Sequence, residues 1–117
     1  DDEIVQKVAK QMLSKIGYEV LIAPDGETTI SMYEKSLATE TPIDIIIMDL
    51  TIPGGMGGEE TIKILKQKYK KIKAIVSSGY SNNQIMANYQ DYGFVGVIVK
   101  PYKIDELSFI LNKVINI

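Results

Sequence analysis

The sequence predicts an α/β domain built on a doubly wound parallel sheet with helices on both faces. Two observations carry that expectation. Segments of helical apolar spacing alternate along the 117 residues with short, β-branched apolar runs, the pattern of strands joined by crossover helices. The runs themselves show little polar alternation, as expected of strands covered on both sides.

The elements follow in order. Residues 3 to 16 place Ile4, Val5, Val8, Ala9, Met12, Leu13 and Ile16 at helical spacing, and Gly17 stands where a left-handed cap is expected. Tyr18 to Ala23 reads as a short strand closed by Pro24, Asp25 and Gly26. Glu27 to Leu37 reads as a second helix with Ile30, Tyr33 and Leu37 inward. Ile43 to Met48 is apolar except for Asp44 and reads as a buried parallel strand. The glycine-rich stretch from Pro53 to Gly58 precedes a third helix, Glu59 to Tyr69, with Ile62, Leu65 and Tyr69 inward. Its leading glutamates suit a helix N-terminus. Ala74 to Ser77 reads as a strand, Asn82 to Tyr92 as a fourth helix, Phe94 to Val99 as a strand, and Ile104 to Ile115 as the last helix. A doubly wound domain usually opens on a strand, whereas this chain enters a helix after Asp1-Asp2-Glu3. Either a first strand precedes Asp1 or the sheet has only four strands, and the expectation is a single domain over residues 1–117 whose first strand is absent from the given chain.

Composition narrows the chemistry. The formal net charge is -2, and histidine and cysteine are both absent. Disulfides, thiol nucleophiles, Ser-His-Asp triads and the usual zinc sites are thereby excluded. All 13 basic residues are lysines, so no guanidinium fork is available for phosphate. The charge balance gives no basis for nucleic-acid binding by this domain. No apolar run reaches the ~20 residues of a membrane-spanning helix. A cytoplasmic domain without membrane contact is expected. What chemistry remains belongs to carboxylates, hydroxyls, lysines, backbone groups and an oxygen-bound metal.

In open parallel sheets the working groups gather at the carboxyl ends of the strands. Asp49 follows one apolar run, Ser77 and Ser78 follow another, and Lys100 follows a third and precedes Pro101. Asp1 and Asp2 would follow a first strand. Crowded carboxylates repel and call for a cation, and a few oxygen ligands suit Mg²⁺. A carboxylate can be a nucleophile that forms an aspartyl phosphate. An ammonium and a hydroxyl beside it would position the phosphoryl group and neutralise its charge. The glycine stretch lacks a following Lys-Ser or Lys-Thr, so it is not a P-loop.

The acidic start Asp1-Asp2-Glu3, IIIMDLTIPGGMGG around Asp49, AIVSSGYS around Ser78 and VIVKPY around Lys100 resemble a two-component response-regulator receiver domain. Their style is similar to receivers of hybrid sensor histidine kinases. The resemblance implies a flavodoxin-like sheet of order 2-1-3-4-5. It implies Asp49 as phosphoacceptor, Ser78 rather than Ser77 as the switch hydroxyl, and Lys100 as the contact to the phosphoryl group, with a cis Lys100–Pro101 bond. Mg²⁺ would be held by Asp1 and Asp2, a carboxylate oxygen of Asp49 and the carbonyl of Thr51. Without a histidine of its own, the chain would take its phosphoryl group from a sensor histidine kinase or a histidine phosphotransfer domain. It would then lose that group slowly to water, as a signalling switch rather than a metabolic enzyme.

The chain departs from the family pattern in three places. Counting back from Gly17 puts the direct metal acid at Asp1, so either Asp1 or Asp2 fills that role. Val97 stands where the family has a switch aromatic. Thr51 and Tyr80 occupy variable positions that tune phosphate lifetime, and their side chains favour a long-lived phosphoryl group. The last two helix–strand elements, with Ile85, Met86, Val97 and Tyr102, offer either a dimer or partner surface or ordinary packing. The rival readings are a phosphorylation-independent interaction module of the same fold, an aspartyl-phosphate phosphatase and a flavin module. The phosphatase would want an acid where Thr51 stands, and the flavin module a hydroxyl-rich loop where the acids stand.

Overall fold

Helix α1 spans Glu3–Ile16, the bounds predicted by its apolar spacing. The computed structural model describes residues 3–21, 26–40, 42–49, 58–69, 72–78, 88–99 and 102–116. Helix α1 ends in a Schellman motif. The amide of Tyr18 donates to the carbonyl of Leu13 at 3.0 Å and that of Gly17 to Ser14 at 3.1 Å, with Gly17 at φ 110°. Helix α2, Gly26–Ser36, is closed by a side chain. The Ser36 hydroxyl donates to the Tyr33 carbonyl at 2.7 Å and accepts from the Ile43 amide at 3.1 Å, which turns the chain back toward the sheet.

Strand β1 is Ile46–Asp49, helix α3 Gly58–Lys68, and strand β2 Ala74–Ser78. A single 3₁₀ turn, Tyr89–Tyr92, leads through Gly93 into strand β3, Gly96–Val99. Helix α4 is Ile104–Ile115, and Lys73 fastens its last turn by donating to the Ile115 carbonyl at 3.0 Å. The three strands form one parallel sheet of order β1-β2-β3.

Strand residues alternate between faces, and the core divides accordingly. Ile46, Met48, Ala74 and Val76 join Tyr33, Ile62, Leu65, Ile72 and Phe94 on the α2/α3 side. Ile75 and Ile98 join Leu13, Leu107, Leu111 and Val114 on the α1/α4 side. Gly96 lets α4 approach closely, since a Cβ there would lie 2.9 Å from Cδ1 of Ile110.

Several expectations need correction. The described part of the expected strand Tyr18–Ala23, residues 18–21, has no ladder partner among the described residues. Its side chains still alternate: Tyr18 and Val20 pack on the α1/α4 core while Leu21 is exposed. In the order 2-1-3-4-5 its neighbour would be a first strand, and no described residue supplies one. The observed order β1-β2-β3 corresponds to the 3-4-5 part of that order. The expected strand at Ile43 begins instead at Ile46, because the ladder starts opposite Ala74. Phe94 and Val95 likewise precede β3, which opens at Gly96 opposite Ile75. Of the expected helix Asn82–Tyr92, residues 88–92 show only the 3₁₀ turn and the asparagine before it, and residues 82–87 lie outside the described residues. Leu37 falls just past α2 and is exposed rather than inward.

Candidate functional site

The three strands are in register, so their carboxyl ends coincide. Asp49, the last residue of β1, pairs with Ser77, and Ser78, the last of β2, pairs with Val99, the last of β3. Adjacent strands lie about 4.8 Å apart. The backbones of Asp49 and Ser78 therefore sit on one edge within a few ångströms, and Lys100 follows Val99 directly in sequence. Lys100, Pro101, Asp1, Asp2, Thr51 and Tyr80 themselves lie outside the described residues, as does the expected cis bond. Helix α1 begins at Glu3, immediately after the acidic pair. Among the described residues no cluster of three or more potential metal ligands forms, since the expected acids other than Asp49 fall outside them.

The two neighbouring serines have different surroundings. Ser77 is completely buried, and its hydroxyl lies 2.5 Å from the hydroxyl of Tyr102. Tyr102 packs against the α1/α4 core in the short link between β3 and α4. The Ser77 hydroxyl is therefore already committed inside the fold. This pairing is a feature that the linear sequence conceals, because its partners are 25 residues apart. The one available signal is a serine on the buried parity of an otherwise apolar strand, which must find a partner. Val97 packs against the α2/α3 core and Tyr102 against the α1/α4 core.

Among the described residues, the carboxylate with a displaced pKa is Glu34. Glu34 accepts from the Tyr69 hydroxyl at 2.8 Å and from Lys68 at 3.3 Å. The Tyr69 hydrogen bond and then Lys68 hold its carboxyl below the usual glutamate range. The same hydrogen bond raises Tyr69, and burial raises Tyr33. The rings of Tyr33 and Tyr69 meet edge to face at 5.2 Å. This clasp joins α2 to the end of α3, away from the carboxyl edge. No helix among the described residues is long and apolar enough to cross a membrane.

Known proteins resemble this chain in sequence and in fold. The chain is 31% identical over 116 residues to the CAI-1 autoinducer sensor kinase/phosphatase of Vibrio cholerae, covering 97% of this chain and 16% of that protein. It is 26% identical over 114 residues to sporulation initiation phosphotransferase F of Bacillus subtilis, covering 97% of this chain and 87% of the relative. The chain spans less than a fifth of the length of several curated relatives it matches. The receiver domain of a sensor histidine kinase from Pseudomonas aeruginosa superposes with a TM-score of 0.81 at 24% identity, over 100% of this chain and 93% of that one. Its crystal structure has a magnesium ion coordinated in the active site cleft. At that identity the likeness speaks for the fold, which is flavodoxin-like α/β. Residues 1–112 match the response regulator receiver domain family. The chain belongs to that family: it is a receiver domain of two-component signalling.

Proposed function

We propose that residues 1–117 act as one phosphoacceptor domain in which Asp49 takes a phosphoryl group from a phosphohistidine of a sensor kinase or phosphotransfer domain. The observation that carries this reading is the ladder register, which sets the backbones of Asp49 and Ser78 on one edge and leads β3 into Lys100. In the transfer, a carboxylate oxygen of Asp49 attacks phosphorus as the phosphorus–nitrogen bond breaks, and the freed imidazole takes a proton. Ser78 would donate a hydrogen bond to a phosphoryl oxygen, and Lys100 would neutralise its charge. In a separate, slow discharge by hydrolysis, water attacks phosphorus, the bond to the Asp49 oxygen breaks, inorganic phosphate leaves and the Asp49 carboxylate is restored.

The donor set fits magnesium, because carboxylates and a backbone carbonyl are hard oxygen ligands. Asp1 or Asp2, Asp49 and the carbonyl of Thr51 would hold it. Bound there, the ion would offset the charge that otherwise keeps a phosphate donor away from the carboxylates. The test is intact mass of the full chain after exposure to acetyl phosphate with and without Mg²⁺. A gain of ~80 Da for one phosphoryl group is expected only with the metal, and none in Asp49→Asn. Undiminished labelling of Asp49→Asn would defeat the assignment. No labelling of the parent would favour an interaction module that works without phosphorylation.

A further inference from the structure

We infer that Tyr102 is a positioning residue for phosphoryl transfer, acting through its hydroxyl pair with Ser77 to place the segment that carries Lys100. The inference rests on the reading of Lys100 as the contact to the phosphoryl group. Lys100 lies between two anchored positions. Val99 on one side is fixed in the β2–β3 ladder opposite Ser78. Tyr102 on the other is fixed by the 2.5 Å contact to Ser77 and by packing on the α1/α4 core. Three residue steps separate the anchors in sequence, so Lys100 is one step from the first and two from the second.

The second anchor is tied to the site itself. Ser77, which receives Tyr102, is the register partner of Asp49. One β2 residue thus pairs by its backbone with the acceptor strand and holds by its side chain the link that bears the lysine. The pair has an energetic reason to persist. Ser77 is wholly shielded from solvent, and a buried hydroxyl that loses its partner carries its full desolvation cost. A phenylalanine at position 102 would keep the ring on the core and remove only the tether. The Lys100 ammonium would then sample a wider range, and transition-state stabilisation that depends on its placement would fall.

The experiment follows phosphorylation of the full chain by acetyl phosphate with Mg²⁺, as kcat and KM, in the parent, Tyr102→Phe, Ser77→Ala and the double variant. Each single substitution is expected to lower kcat about fivefold, the scale of one hydrogen bond, with KM little changed. The double variant should be no slower than the slower single one, because both remove the same interaction. In a Lys100→Ala background, Tyr102→Phe should have no further effect, whereas a general loosening of the domain would slow that variant too. Denaturation midpoints of all variants separate positioning from unfolding, and Ser77→Ala approaches the same bond from the opposite side should Tyr102→Phe fold poorly. Unchanged kcat in both single variants, or equal slowing with and without Lys100, would overturn the inference while leaving Asp49 as acceptor. Failure of the parent to be labelled at all would remove the proposed function and this inference with it.

Discussion

The two faces of the sheet solve the same packing problem but handle their polar groups differently. On the α2/α3 side the buried polar residues Ser36 and Thr61 belong to the helices, Ser36 bonding the Tyr33 carbonyl of its own helix, and a polar cluster, Glu34 with Lys68 and Tyr69, sits at the exposed rim. On the α1/α4 face a hydroxyl pair, Ser77 with Tyr102, is drawn into the fold beside the carboxyl edge. An exposed ion pair contributes little to stability because water competes for both partners. A buried hydroxyl pair must stay formed. The comparison separates a face that supports the fold from one that also transmits position to the site.

The largest expected effect comes from cavities on either face. Leu65 and Leu107 are both fully buried, one on each side. Leu65→Ala and Leu107→Ala should each cost about 2–5 kcal/mol in urea denaturation. They should differ in function. Leu107→Ala, whose cavity opens in the core that Tyr102 packs on, should also slow phosphorylation per folded molecule. Leu65→Ala should leave that rate close to the parent's. Equal slowing in both would erase the distinction between the faces.

A smaller effect is expected at the rim. Hydrogen bonds from Tyr69 and Lys68 lower the Glu34 pKa in the folded protein. The stabilisation is therefore complete above the unfolded glutamate pKa and is lost as pH falls through the depressed folded value. Tyr69, raised by the same bond, contributes below the ordinary tyrosine pKa and loses its contribution as pH climbs above it toward the raised folded value. The difference in denaturation midpoint between parent and Glu34→Gln should be small and constant near neutrality, and should shrink below the usual glutamate range. Phosphorylation kinetics should be indifferent to this substitution at every pH. A kinetic response would make the clasp part of the functional apparatus.

Much of this architecture was legible in the sequence where local pattern and tertiary fold agree. Helices α1 and α4 match their predicted bounds because an apolar stripe over several turns determines both the helix and the face it buries. The strands were legible as runs but not at their ends. Ile43 and Ile45 continue the apolar pattern on either side of Asp44, yet a strand is defined by its partner, and the ladder begins only opposite Ala74. The same rule explains residues 18–21, which have strand-like alternation without a pairing among the described residues. At the candidate site, Asp49 and Ser78 stand out in the sequence as polar residues that end apolar runs, and the ladder brings their backbones to one edge. The Ser77–Tyr102 pair does not stand out, because it depends on two loci meeting across the fold.

The central claim is that Asp49 is the residue phosphorylated. Its most direct test is chemical localisation. An aspartyl phosphate is an acyl phosphate, which borohydride reduces to an alcohol and so converts aspartate to homoserine. The full chain is loaded with acetyl phosphate and Mg²⁺, reduced, digested and sequenced by mass spectrometry. The account predicts homoserine at position 49 and at no other acidic residue. Homoserine at another carboxylate, with an intact Asp49 in the same labelled sample, would contradict it.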